Sequence, residues 1–135
     1  RERLRRKYAQ DPPLRVFYEI SAKPLYTVGG GQIISQILAL CGGRNIFAKL
    51  TTLAPVVDEG AVVARNPQAI FTDDSPGAAG RLDDWRRWPW LAAVKADNLF
   101  VLPADLIGRA GPRILKGAAI VCRDLSIVRS RAGKS

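Results

Sequence analysis

Three consecutive glycines, Gly29–Gly31, stand just before an apolar run with helical spacing, a placement that can cradle a phosphate group. A dinucleotide-binding loop requires G-x-G-x-x-G, and a P-loop requires G-K-[ST] after its glycines. Neither spacing is present. A Rossmann-like nucleotide-binding domain of an enzyme therefore stays only as the alternative interpretation, in which these glycines would contact the nucleotide.

Residue types that support metal binding or catalysis are scarce in this chain. It has no histidine and only two cysteines, so a zinc site of the usual Cys/His kind cannot be assembled within it. The loops at the predicted strand ends lack a paired acid and base or an activated nucleophile. These observations favour a binding protein with no catalytic residues, no metal and no cofactor.

The glycines are positioned by alternating predicted strands and helices. The β-rich runs at 14–20, 68–72 and 99–103 predict buried strands. Helical spacing predicts helices over 32–41, over 59–66 after an Asp58 cap, and from Gly111-Pro112 onward. This order predicts an α/β fold, a Rossmann-like lobe with a mainly parallel sheet flanked by helices.

Length and charge indicate a single globular unit. A chain of 135 residues that is 47% hydrophobic can bury one core, and its apolar stretches are too short to span a membrane. The net charge of +9 is concentrated in residues 1–7 and 129–135, so no nucleic-acid partner is predicted. We expect a lobe over 14–128 and a disordered basic tail over 129–135.

Five segments, in order along the chain, resemble the C-terminal lobe of class III periplasmic substrate-binding proteins of ABC importers. They are KPLYTVGGG, ILALCGGRNIF, VVARNPQAI, WPWLAAVKADNLFVLP and RAGPRIL, and the cobalamin-binding branch is the most similar. The resemblance implies a two-lobed protein in which one long helix joins two α/β lobes. Residues 1–13 would then be the end of that helix, and the N-terminal lobe would be missing from this chain.

The resemblance also implies a function and a location. The whole protein would capture a cobalamin-like ligand or an iron chelate, such as haem or a ferric siderophore, between its lobes. It would deliver this ligand to an ABC permease in the inner membrane. Such a protein is periplasmic, does not itself span the membrane and catalyses no reaction.

Ligand contacts are implied at several positions that match the family. Tyr26 falls where cobalamin binders place an aromatic ring against the ligand, although a loop aromatic can also simply cover the core. Arg109 falls at a ligand-contacting arginine that Asp105 would orient; otherwise the two would form a solvated ion pair. Further ligand contacts are expected at Lys23, Pro24, Leu53 and Ala54, the last of which replaces a stacking tryptophan of some relatives.

The resemblance finally implies a docking residue and a disulfide. The family places a permease-docking glutamate at the position of Gly60, so Glu59 beside it is the candidate, with ordinary helix capping as the alternative. Related cobalamin binders pair cysteines at the positions of Cys41 and Cys122. A disulfide suits a compartment outside the cytoplasm, whereas two free buried thiols are the alternative.

Overall fold

Strand β1, Leu14–Glu19, lies inside the sheet because nearly all of its side chains are buried, and most are apolar. The computed structural model describes residues 13–51, 54–107 and 111–133. In it, β1 pairs in parallel with β4, Gly43–Asn45, on one side and with β5, Ala69–Asp73, on the other. Strand β6, Leu99–Leu102, pairs in parallel with β5, giving the order β4-β1-β5-β6.

Helices connect these strands and cover both faces of the sheet. They are α1 Ile33–Leu40, α2 Glu59–Arg65, α3 Ala78–Asp83, α4 Ala92–Lys95, α5 Ala104–Ile107 and α6 Ile114–Gly133. A 3-10 turn, Asp84–Arg87, follows α3 directly. A small antiparallel hairpin of β2, Ser21–Ala22, and β3, Leu25–Tyr26, follows β1. The α/β fold with a parallel sheet flanked by helices is confirmed.

Alternation along β1 divides the core into two layers. Val16 and Tyr18 face one layer, together with apolar side chains of α1 and α6. Phe17 faces the other layer, where Phe47 and Trp85 meet it edge-on with ring centroids 5.9 and 5.6 Å away. Because successive strand residues point to opposite faces, a single strand organises both halves of the core.

The predicted ends of two helices are confirmed. Helix α1 stops at Cys41, and Gly42 follows it with φ of 85°, the left-handed conformation that glycine adopts most easily. The Asp58 side chain caps α2 by accepting a hydrogen bond of 2.6 Å from the Ala61 amide. Asn66 ends α2 in the left-handed region, directly before Pro67.

The prediction of a disordered tail from residue 129 is wrong for residues 129–133, which belong to α6. Arg129 donates to the Gly42 carbonyl at 2.8 Å, at the C-terminal end of α1. Arg131 donates to the Asp97 carbonyl and to Asn98 Oδ1, both at 2.8 Å. These arginines tie the last helix to the lobe, so their charge has a structural use.

The segments 1–12 and 134–135, for which we predicted a helix end and a basic tail, lie outside the described residues. Across the parts that the structure does describe, every helix is too short or too polar to cross a membrane.

A disulfide between Cys41 and Cys122 joins the end of α1 to the middle of α6. The two Cα atoms are 4.8 Å apart, and the bond closes a loop with a sequence separation of 81. The expected pairing is therefore confirmed. Together with Arg129, it fastens the two helices that cover one face of the sheet.

Replacing both cysteines, Cys41→Ala with Cys122→Ala, should lower the free energy of unfolding by roughly 4–5 kcal/mol. Loop-closure entropy for a separation of 81 residues gives this value. Guanidinium denaturation without reductant measures it. As a control, wild-type protein in excess dithiothreitol should fall to nearly the same stability, and an unchanged wild type would contradict the prediction.

Candidate ligand-binding edge

The carboxyl ends of four parallel strands, at Asn45, Glu19, Asp73 and Leu102, form one edge of the sheet, which we call the carboxyl edge. Ligands of open α/β sheets bind at this kind of edge, because the loops that follow the strands meet there. The candidate residues that the structure describes follow these strand ends in the chain.

The β2–β3 hairpin is the first loop at the carboxyl edge. Its tip carries Lys23 and Pro24, both exposed, and the Ser21 hydroxyl donates to the Pro24 carbonyl at 2.9 Å. The Ile20 amide donates to the Tyr26 carbonyl at 2.8 Å, closing the base of the hairpin. The structure therefore presents the expected lysine and proline to solvent on a short, hydrogen-bonded turn.

Tyr26 is half-buried and forms an antiparallel β-bridge with Val56, in the long segment that precedes α2. The Val57 amide donates to the Leu25 carbonyl at 3.0 Å, so the segment runs alongside β3. Bridge partners project to the same face, which places Val56, 61% exposed, beside the tyrosine ring. Ala54 is also exposed. We call Tyr26, Ala54 and Val56 the apolar platform.

The glycine loop packs closely against neighbouring backbone of the same lobe. A β-carbon at Gly30 would lie 2.0 Å from the Ala48 carbonyl oxygen, so only glycine fits there. The Gly30 amide donates to the Leu50 carbonyl at 3.1 Å, and buried Asn45 donates to the Val28 carbonyl at 2.8 Å. The glycines allow a close backbone approach, which does not favour the nucleotide-binding alternative.

Asp105 lies in α5 at the carboxyl edge and is exposed. Its carboxylate accepts a hydrogen bond of 2.7 Å from Arg113, at the start of the chain segment leading into α6. Arg109, its expected partner, and Leu53 both lie outside the described residues, so their proposed ligand contacts stay predictions.

Lys23 and Glu59, expected to serve different partners, line the same small cleft of about 110 Å³. Glu59 forms an ion pair with Arg87, whose guanidinium lies 4.4 Å from the centre of the Trp88 ring. Small-molecule sites usually enclose about 300–1,000 Å³, so this cleft is too small for a corrin or an iron chelate.

Glu19 also lines this cleft and was not singled out from the sequence. It is 2% exposed, and Trp85 Nε1 donates to its carboxylate at 2.7 Å. Burial raises the pKa of the Glu19 carboxyl to about 7, against the lowering effects of Trp85 and Arg81. A carboxyl at the end of an apolar strand is a signal that sequence reading could have used, since buried acids need partners.

Val56 was also missed, because its place beside Tyr26 depends on a bridge between residues far apart in the chain. The usable signal was an apolar residue in a segment rich in Thr, Pro and other loop formers. Such residues are normally buried unless a surface needs them, although single exposed apolar residues are common.

The Glu19 carboxyl should make stability depend on pH. The folded protein keeps a proton that the unfolded chain, with an ordinary pKa of 4.5, releases. The free energy of unfolding should therefore fall by about 3 kcal/mol as pH rises from about 4.5 to about 7. In urea denaturation at pH 5 and pH 8, Glu19→Gln should remove this decline and exposed Asp83→Asn should keep it. Equal declines in wild type and Glu19→Gln would contradict the assignment.

No family model matches the chain. The chain is 39% identical over 129 residues to the vitamin B12-binding protein of Vibrio cholerae serotype O1. The matched region covers 95% of this chain and 46% of that protein. The chain thus spans about half the length of the curated relatives it matches.

Solved structures show the same relationship. The crystal structure of the periplasmic vitamin B12-binding protein of Vibrio cholerae superposes with a TM-score of 0.81 at 39% identity, covering 95% of this chain and 50% of that one. A periplasmic haem-binding protein from Roseiflexus shares the fold, with a TM-score of 0.76 at 16% identity, covering 93% and 50%. The chain is therefore a homologue of the vitamin B12-binding proteins over their C-terminal half, and it has the fold of a lobe of the periplasmic binding proteins that serve ABC importers.

Proposed function

We propose that this chain is the C-terminal lobe of a two-lobed periplasmic protein that captures a cobalamin and delivers it to an ABC permease. The 39% identity to the Vibrio cholerae vitamin B12-binding protein, over 95% of the chain, carries the proposal. The protein acts by binding and release, with no catalytic step. The wider class of iron chelates, expected from the sequence, becomes an outcome of the binding test.

The surface at the carboxyl edge suits a large, flat ligand. The apolar platform offers a half-buried aromatic ring and an exposed branched side chain, which can pack on a corrin face without polar partners. Lys23, at the hairpin tip, and Asp105, in α5, are exposed at the same edge and can serve the ligand's polar substituents. An open edge covers only one side of a ligand, so tight binding requires a second wall from another lobe.

The proposed ligand can be tested by calorimetric titration of the complete gene product with cyanocobalamin, haem and a ferric siderophore. We expect micromolar or tighter binding of cyanocobalamin and much weaker binding of the other two. Tighter binding of haem or of the siderophore would assign the ligand to the iron chelates instead. Failure to bind any of the three at micromolar concentrations would overturn the proposal.

Replacing the ring of the apolar platform, Tyr26→Ala, should weaken cyanocobalamin binding about five- to tenfold, since a lost aromatic contact costs on the order of 1–1.5 kcal/mol. Trp90→Ala is the matched control. Trp90 is 58% exposed and lies close to Ala92, whose amide binds Asn66 near the amino end of β5. Equal losses in both variants would argue against a ligand contact at Tyr26.

Glu59 is the proposed permease contact, supported by its place at the first position of α2 and by its partly exposed carboxylate, which pairs with Arg87. Glu59→Gln should leave cyanocobalamin affinity within about twofold but weaken association with the permease about three- to tenfold, because charge pairs between proteins guide docking. Asp83→Asn, another exposed acid, serves as control. Pull-down with detergent-solubilised permease measures this, and unchanged association would exclude Glu59 as a docking residue.

A further inference from the structure

We propose that Arg81 and Asp74 are positioning residues for the ligand-binding surface: through them the β5–α3 loop holds helix α5 and its Asp105 at the carboxyl edge. This inference rests on the proposed function above. Neither residue was expected to matter from the sequence. Arg81 stands on α3, one turn after the helix begins, and its side chain is only 10% exposed.

The Arg81 guanidinium is surrounded by oxygen atoms of the preceding loop. Its Nη2 donates to the Asp73 carbonyl at 3.1 Å and to the Ser75 hydroxyl at 2.9 Å. Its Nη1 donates to the Pro76 carbonyl at 3.0 Å. A planar fork with five donors can satisfy several fixed acceptors at once, which a lysine cannot do. One largely buried side chain therefore holds several parts of the loop together.

The same guanidinium joins two strand ends. Arg81 Nε donates to Thr72 Oγ1 at 3.0 Å, at the carboxyl end of β5. The Thr72 hydroxyl in turn donates to the Glu19 carbonyl at 2.8 Å, at the end of β1. Both Thr72 and Glu19 are buried. This chain of hydrogen bonds crosses the middle of the carboxyl edge and fixes the starting point of the β5–α3 loop.

Asp74, in the same β5–α3 loop, connects this loop to the third strand end by a separate hydrogen bond. Its carboxylate accepts a hydrogen bond of 3.1 Å from the Ala104 amide, the first residue of α5, just after β6. Beneath α5, a β-carbon at Gly117 would lie 2.6 Å from the Leu106 carbonyl oxygen, so α6 supports the short helix closely. Helix α5 is thus held at its start by Asp74 and along its backbone by α6.

This arrangement sets where Asp105 stands, because Asp105 is the second residue of α5. A four-residue helix has too few internal hydrogen bonds to keep its own direction. A surface ordered before the ligand arrives loses less conformational entropy on binding. Arg81 and Asp74 thus contribute to affinity through α5, and Arg81 does so with its guanidinium donors directed at oxygen atoms of its own lobe.

The test uses four variants of the complete gene product, with cyanocobalamin as the probe. Asp74→Ala removes the acceptor, and Asp74→Asn keeps an oxygen in its place. Arg81→Lys keeps the charge but loses the fork. Exposed Asp83→Ala is the control. Calorimetry gives the Kd, and hydrogen exchange reports the amides of Ala104 and Leu106, the latter of which donates to the Pro103 carbonyl at 3.1 Å.

We expect Asp74→Ala to raise the Kd about fivefold and to speed exchange of the Ala104 amide. Asp74→Asn should stay within about twofold of wild type in both measurements, and Asp83→Ala should change neither. Arg81→Lys should raise the Kd as well. Asp74 is exposed, so we expect both of its variants, Asp74→Ala and Asp74→Asn, to fold. These two variants therefore keep the test decisive even if Arg81→Lys does not fold.

Two outcomes would overturn the inference and can be told apart. Tight wild-type binding with an unchanged Kd in Asp74→Ala would overturn the inference alone, even if exchange were faster, since the contact would then be only structural. A wild-type protein that binds neither cyanocobalamin nor an iron chelate would overturn the proposed function and the inference together.

Discussion

The parallel pairing of β1 with β4 and β5 is the constraint on which the candidate site depends. Parallel strands all end at the same edge, so the loops after Asn45, Glu19 and Asp73 are brought together regardless of their distance in sequence. The burial of β1 on both faces makes this pairing rigid. The described candidate ligand contacts, such as Lys23 and Asp105, follow strands that end at this edge.

Arginine plays a larger structural role than the net charge alone suggests. Arg81 orders the β5–α3 loop, and Arg129 and Arg131 bind carbonyl oxygens at the ends of α1 and before β6. Each donates to main-chain carbonyls at the end of a helix or in a turn. Part of the positive charge of this chain, including Arg129 and Arg131 in its basic end segment, therefore stabilises the fold.

Sequence reading predicted the elements that carry long apolar runs and missed those that do not. Strand β4 has only three residues, with exposed Arg44 at its centre, and gave no β pattern. The two-residue strands of the hairpin and the four residues of α5 are likewise too short for a periodic signal. Tyr26 was recognised from its motif. Its neighbour Val56 was recognised only from the β-bridge in the structure, and Glu19 only from its place in the cleft.

The sequence by itself determined the α/β class, the relationship to periplasmic binding proteins, the Asp58 cap and the cysteine pair. Local patterns and ordered motifs are enough for these features, because they depend on residues close together or on family likeness. Only the tertiary structure decided which side chains meet at the carboxyl edge. The hydrogen bonds from Thr72 to the Glu19 carbonyl and from Ala104 to Asp74 join strand ends that are neighbours only after the sheet has formed.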